Sequence, residues 1–428
     1  MSALRSELLV DTRHTPLHEY AAWSVLAIAY AIAFAQRVSP QTVNLRLVDD
    51  LGTNAAGIAV LASGYFWGYA LMQIPAGLLV DRYGVRRIVL LSMTLSVIGS
   101  AAFATSQGII SAFGARSILA VGDALVFTSL LKLVAERFPD GRFGLMSGLS
   151  QVSGYLGGAL ATVPLASGID HFGWRTCFIF VAMLGAANLL ASLAALPNVP
   201  LRQSGKSFED LWVAVKQALS RWPNWGCALT FASHFAAVTT LSGVWGIPLV
   251  AHSLNINLAT AGFPLLVFMV GNAVGSIVLG HLSDRVHSLP RALILICFVR
   301  MILIVLLLPS VIRHLGLTHA VIDFALLGLV AGGTVPLVLK CTKRLYTTAL
   351  IGTGASVNTT VANIIAALAQ PLIGVVMVGA AGVRMGTPNT EGYLGDPPYT
   401  AMIIVLLAVS TLGIVGPLLM QRTMRPQP

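Results

Sequence analysis

The sequence predicts an all-α polytopic membrane protein with twelve spanning helices in two sets of six, and three observations carry that prediction. First, 56% of the 428 residues are apolar or aromatic and only 10% are charged, against about 25% charged in an ordinary soluble domain. So few charges cannot cover a water-facing surface, which excludes a cytosolic enzyme, a disordered chain and a secreted disulfide scaffold. Second, apolar stretches of the length a bilayer core demands, about 20 residues, recur twelve times. Third, when the chain is threaded through those stretches, 19 of its 26 Lys and Arg fall on one side, 4 on the other and 3 inside spans. That asymmetry puts the basic side in the cytoplasm.

In chain order the spans are read near 20–42, 56–79, 88–107, 109–135, 143–166 and 174–196, then 223–250, 258–282, 290–312, 318–340, 346–378 and 398–420. Residues 1–19 are a cytoplasmic tail, 20–196 the first six-helix half, 197–222 a cytoplasmic linker, 223–420 the second half and 421–428 a second tail. Arg5, Glu7, Asp11, Arg13 and Glu19 interrupt the start of the chain, so no cleavable leader is expected and the first apolar run stays as a helix. In the linker, Phe208, Leu211, Trp212, Val215 and Leu219 alternate with polar residues at helical spacing. This predicts an amphipathic helix lying at the membrane interface. The Gly-, Pro- and Asn-rich stretch 379–397 reads as a flexible connector on the opposite face. Cys177, Cys227, Cys297 and Cys341 lack paired spacing and are expected as free, packed thiols.

An internal repeat ties the two halves together. After the second span comes Gly77-Leu-Leu-Val-Asp81-Arg82-Tyr-Gly84-Val-Arg86-Arg87, and after the eighth comes Gly280-His-Leu-Ser-Asp284-Arg285, about 200 residues on. Gly77 would let two helices approach closely, the Asp would cap a helix or pair with an Arg, and Arg82 would hold that end at the lipid surface. This loop closely resembles the signature of the major facilitator superfamily, Gly-x-Leu-x-Asp-Arg-x-Gly-x-Arg-Arg, and with twelve spans the resemblance covers the whole chain. It implies two halves rocking about a central site, with Gly77, Asp81, Arg82, Gly84, Arg86, Asp284 and Arg285 serving the conformational change.

Within that superfamily the chain looks like the anion:cation symporter branch, which includes hexuronate, galactonate and sialic-acid carriers. The resemblance rests on Gln36-Arg37, on Gly68-Tyr69 within Ser63–Gly77, on Arg116 followed seven residues later by Asp123, and on Phe172-Gly173-Trp174-Arg175. It departs from the branch where Gln36 stands for the usual Asp and Asp123 for the usual Glu.

Ionisable residues inside spans are functional candidates whatever the family. Arg37, Arg116 and Asp123 are the clearest set: positions 116 and 123 share a helix face, and two guanidinium groups match an anionic substrate. The alternative is that Arg116 and Asp123 brace neighbouring helices. Asp123 is the expected proton-coupling acid; Arg37, Tyr69, Arg116, Gln151 and Asn358 are the expected substrate contacts. Tyr65, Trp67, His234 and Trp245 are weaker candidates. Arg300 has no family role; it would pair with Asp323 or snorkel. Gly154, Gly157, Gly158, Gly271 and Gly275 read as close helix packing.

Nothing predicts catalysis, a metal site or a cofactor, and without a nucleotide-binding loop this chain would draw energy from a gradient. The expectation is a proton-coupled symporter of a small organic anion, a carboxylate, in the cytoplasmic membrane. Its partners would be that solute, protons and lipid, with no nucleic acid, and the chain would be monomeric. The competing reading is a proton-driven exporter of a drug-like compound, metabolite or siderophore. A sensor built on the same scaffold would carry a large soluble appendage.

Overall fold

A computed structural model describes residues 16–138, 140–196, 208–282, 286, 288–345, 351–382 and 395–421. The described residues contain helices and no strand, and twelve of the helical segments are long and apolar enough to cross a membrane. The first six spans are α1 (Pro16–Val38), α3 (Ala55–Tyr83), α4 (Val85–Ala104), α5 (Ile109–Arg137), the pair α6 (Asp140–Leu160) and α7 (Val163–Phe172), and α8 (Trp174–Ala195). The second six are the seventh span, made of α10 (Trp222–Thr240), a π-helical turn (Leu241–Trp245) and α11 (Gly246–Leu254), then α12 (Leu258–Leu282), α13 (Leu289–Leu306), α14 (Pro309–Leu345), α15 (Ile351–Ala380) and α16 (Asp396–Gln421).

Among the described residues, two helices lie outside the spans. α9 (Phe208–Ser220) is the amphipathic linker helix. Its Val215 and Ala218 are buried against Val357 of α15, while Trp212 is exposed. The other, α2 (Pro40–Asp50), is not expected from the sequence, which runs the first span to residue 42 and places no helix between there and residue 56. Instead the span ends at Val38, and Pro40 starts a new helix where its missing N–H costs nothing. Val43 and Leu47, one turn apart, are fully buried. Through them α2 packs on the π-turn and α11 of the other half, at the end of the bundle opposite the linker.

Other breaks have local causes. Gly316, at φ +80°, divides α14 into two helical segments, and the fifth span is interrupted between Leu160 and Val163. Proline lies inside α3, α12, α14, α15 and α16; neighbouring helices satisfy the carbonyl four residues before Pro336, where Ser276 Oγ donates to Gly332, and before Pro417, where Cys297 Sγ donates to Gly413.

Small residues set how closely helices approach. A Cβ at Gly157 would collide with the Ala31 carbonyl of α1, and one at Gly275 with the Leu329 carbonyl of α14. Gly77 departs from expectation: a Cβ there would meet nothing within 4 Å, so close helix approach is not its role. The largest apolar core lies at the end opposite the linker and joins both halves, including Val43, Leu47, Trp245, Phe268 and Phe324.

The loops of that end are tied by ion pairs. Arg46 meets Asp170 at 2.6 Å, Arg175 meets Asp50 at 2.7 Å and Arg313 meets Asp396 at 2.6 Å. The Trp174 indole N–H donates to Asp50 at 2.6 Å, and with Arg175 it holds that carboxyl below the usual carboxylate range. Three of the four arginines counted on this face are therefore paired; Arg384 lies outside the described residues, as does most of 379–397. The cysteines are free, Cys227, Cys297 and Cys341 being buried.

Candidate functional site

A cavity of about 400 Å³ lies between the two halves. Much of its wall comes from the linker-side parts of α5, α6, α14 and α15, with Arg37 reaching in from the C-terminal end of α1. Among its lining residues are one Arg, one His and no carboxylate. Five of the sequence candidates line it together: Arg37, Tyr69, Gln151, His234 and Asn358.

Each is held from behind. The Arg37 guanidinium carbon stands 4.5 Å over the Tyr69 ring and 5.4 Å over Phe34, and these π faces take the place of a counter-ion. Gln151 Oε1 accepts from the Tyr30 hydroxyl at 3.1 Å. Asn358 Nδ2 donates to Thr342 Oγ1 at 3.0 Å, which leaves its buried Oδ1 without a partner. Asn363 Oδ1 and Gln73 Oε1, also on the wall, are buried and unpartnered as well. The sequence reading did not single these two out; Gln73 lies one turn beyond Tyr69, and Asn363 follows Asn358 by five. His234 stacks on Phe231, with its Nδ1 unpartnered. Buried acceptors without donors suit a ligand that brings hydroxyl or amide N–H groups.

Arg116 and Asp123 are placed elsewhere. Both are buried, and neither lines the cavity. Arg116 donates to the Gln36 carbonyl at 2.8 Å, and its guanidinium carbon lies 5.2 Å from the Tyr65 ring centre and 5.7 Å from Phe103. It braces the end of α1 instead of facing an open site. Asp123 accepts from the Tyr65 hydroxyl at 3.1 Å and from Ser96 Oγ at 2.9 Å. Gln36, standing where the branch has an acid, donates from Nε2 to Ser100 Oγ at 2.7 Å, and its Oε1 lies 3.3 Å from Ser96 Oγ. The open space touching Asp123 is a separate pocket of about 10 Å³, lined also by Gln36 and Ser96.

Tyr65 connects the two regions. Its ring is buried between the guanidinium groups, 5.5 Å from Arg37 and 5.2 Å from Arg116, and its hydroxyl accepts from Arg37 Nε at 3.4 Å while donating to Asp123. The serines behind it were missed in the sequence although a signal was present: Ser92, Ser96 and Ser100 recur every four residues along one face of α4.

The remaining candidates separate from the cavity. Trp245, fully buried in the π-turn, belongs to the apolar core at the far end, and Trp67 is exposed. Arg300 is fully buried, donating to Ser233 Oγ at 2.9 Å, with Nε and Nη1 unpartnered. It does not pair with Asp323, whose two carboxyl oxygens have no hydrogen-bond partner. Snorkelling is also ruled out by its burial. In the signature loop, Arg86 donates to the carbonyls of Leu196 and Leu193 at 2.6 and 2.9 Å, closing the last turn of α8. Gly84, at φ +79°, makes the turn from α3 to α4, a conformation that favours glycine. Arg82 is exposed and lies over Tyr83. The Asp81 side chain, and Asp284 with Arg285, lie outside the described residues.

Comparison with known proteins agrees with this architecture. The chain is similar to the Tetracenomycin C resistance and export protein of Streptomyces glaucescens, at 29% identity over 168 residues, 39% of this chain and 31% of that protein. It is also similar to the Probable galactarate/D-glucarate transporter GudP of Bacillus subtilis (strain 168), at 26% over 182 residues, 41% of this chain and 39% of that protein. These two matches thus span between about three and four tenths of the relatives' own lengths. In fold it resembles a bacterial homolog of the human lysosomal transporter Spinster in an inward-facing, unoccupied conformation, with TM-score 0.77, 16% identity and coverage of 97% of this chain and 100% of that one. With residues 26–370 matching the family model described as Major Facilitator Superfamily, the chain belongs to that family of membrane transporters, which are not enzymes.

Proposed function

We propose that the protein is a proton-coupled symporter of a small organic anion, taking up a carboxylate across the cytoplasmic membrane by alternating access. The observation that carries this reading is the charge of the cavity: among its described lining residues one guanidinium, no carboxylate, and unpartnered amide oxygens at Gln73, Asn358 and Asn363. A carboxylate on Arg37, with hydroxyl groups reaching those oxygens, satisfies both. A cavity built for a lipophilic cation would offer it an acid. The similarity to a protein named for galactarate and D-glucarate supports the same class, while the export proteins among the relatives keep the exporter as the competing reading.

In this reading the linker and both tails face the cytoplasm, the apolar core closes the outer end, and the cavity belongs to the inward-facing state. Arg37 binds the substrate carboxylate, Tyr69 supports it, and Gln151 and Asn358 orient the polar body. Asp123 carries one proton per cycle, so a monoanion moves electroneutrally.

The test is uptake of D-glucarate, D-galactonate and short carboxylates into proteoliposomes under an imposed pH gradient. Arg37→Ala is expected to lower uptake at least about tenfold, the scale of one charge-assisted hydrogen-bonded pair. Asp123→Asn is expected to abolish pH-driven accumulation while counterflow, which moves no net proton, continues. Accumulation by Asp123→Asn that still follows the pH gradient would remove Asp123 from coupling. Efflux of a cationic dye with no anion uptake would favour the exporter.

A further inference from the structure

We propose that Tyr65 is the positioning residue that ties anion binding at Arg37 to the protonation of Asp123, its hydroxyl forming the link through the cavity wall. This deepens the symport reading and rests on it. The difficulty it resolves is spatial. Arg37 lines the cavity and Asp123 does not, and the space beside Asp123 is about the size of one water. A substrate on Arg37 therefore does not touch the acid.

The hydrogen bonds supply the path. Tyr65 has one proton to give. With Asp123 ionised, that proton goes to Oδ2 at 3.1 Å, and the phenol oxygen is left to accept from Arg37 Nε at 3.4 Å. Once Asp123 is protonated, the carboxyl can donate to the phenol oxygen, and the phenol O–H then turns toward Arg37. A donor facing a donor is unfavourable, so the guanidinium is released toward the cavity, where a carboxylate can take its hydrogen bonds. Protonation thus favours anion binding, and by linkage an anion on Arg37 favours protonated Asp123.

The ring itself is fixed. Arg37 and Arg116 pack against it and Tyr69 stacks on it at 6.1 Å, so the hydroxyl's hydrogen-bond pattern is what can change. The other groups facing Asp123 are Ser96 from α4, Gln36 and Arg37 from α1, and Arg116 on its own helix. From α8 only Val181, Ala182 and Gly185 line the small pocket. Arg37 and Arg116 also act on Asp123 through space, and that part survives loss of the hydroxyl.

The experiment is a double-mutant cycle read by infrared spectroscopy on the full chain in lipid nanodiscs, without ligand. The protonated-carboxyl stretch of Asp123, assigned by its loss in Asp123→Asn, is followed against pH in wild type, Arg37→Gln, Tyr65→Phe and the double variant. Tyr65→Phe keeps the ring and removes the link. The expected result is that Arg37→Gln displaces the titration, and that this displacement falls by about half or more in the Tyr65→Phe background. An equal displacement in both backgrounds overturns the proposal. In proteoliposomes, pH-driven accumulation of D-glucarate relative to counterflow is expected to fall at least about tenfold in Tyr65→Phe; an unchanged ratio overturns it too. Wild-type protein that accumulates nothing under a pH gradient would defeat the symport reading alone, since the infrared cycle still decides on Tyr65.

Discussion

At the scale of the residue, two arginines that look alike in sequence do different work. Arg37 stands at the cavity against aromatic faces, and Arg116 is sealed behind Tyr65 with a backbone carbonyl as its partner. The sequence gives both the same role because both are guanidinium groups inside spans and match an anionic substrate. Depth is legible from position along a helix; whether a side chain faces a cavity depends on how its helix is rotated against its neighbours. The expectation for Arg116→Ala therefore changes. It removes a charge-assisted hydrogen bond to the Gln36 carbonyl and leaves a void beside Tyr65 and Phe103, costing about 2–4 kcal/mol. Thermal unfolding in detergent should show a clear drop in midpoint, whereas Arg37→Ala should unfold close to wild type. Equal midpoints for both variants would remove the bracing role from Arg116.

At the scale of the element, the span count and the amphipathic linker helix were readable because both rest on local hydrophobic pattern. α2 was not: Pro40 and the spacing of Val43 and Leu47 were visible, but Gln41, Asn44, Arg46, Asp49 and Asp50 make the segment too polar to stand out as a helix by hydropathy. Helix packing through small residues was readable at Gly154, Gly157, Gly158, Gly271 and Gly275, and misread at Gly77. A glycine licenses close approach only where another backbone comes near, and no sequence pattern specifies that at Gly77. Gly157→Leu is expected to force α6 off α1, because its side chain would overlap the Ala31 carbonyl. The cost is about 1–3 kcal/mol or more, seen as a lower unfolding midpoint. Gly77→Leu, with open space at its Cβ, should leave the midpoint near wild type.

For the whole molecule, transport by rocking halves requires the end opposite the linker to part. That end is closed by the apolar core and by contacts between α7 and α12, where a Cβ on Gly262 would stand 3.3 Å from both Val163 Cγ2 and Val163 N. Those distances are compatible with a disulfide between the two positions. In a Cys177→Ser background, Val163→Cys with Gly262→Cys is expected to crosslink on oxidation and to stop counterflow of whichever carboxylate the uptake panel identifies, and dithiothreitol should restore it. Crosslinked protein that still exchanges would show that this end need not open.

The sequence by itself determined the membrane class, the twelve spans, the two halves and the family, because each rests on local composition, a 3.6-residue period or a contiguous motif. It also picked out the chemistry-bearing residues inside the spans, since ionisable groups there are rare enough to be conspicuous. Only the tertiary structure decided which of them meet: Arg37, Tyr69, Gln151, His234 and Asn358 around one cavity, Asp123 with Ser96 and Gln36 behind its wall, Tyr65 between, and Arg300 apart from Asp323. The physical reason is that rotation and tilt of a helix are set by packing against several others at once, so neighbours across the bundle are written in no single segment of the chain.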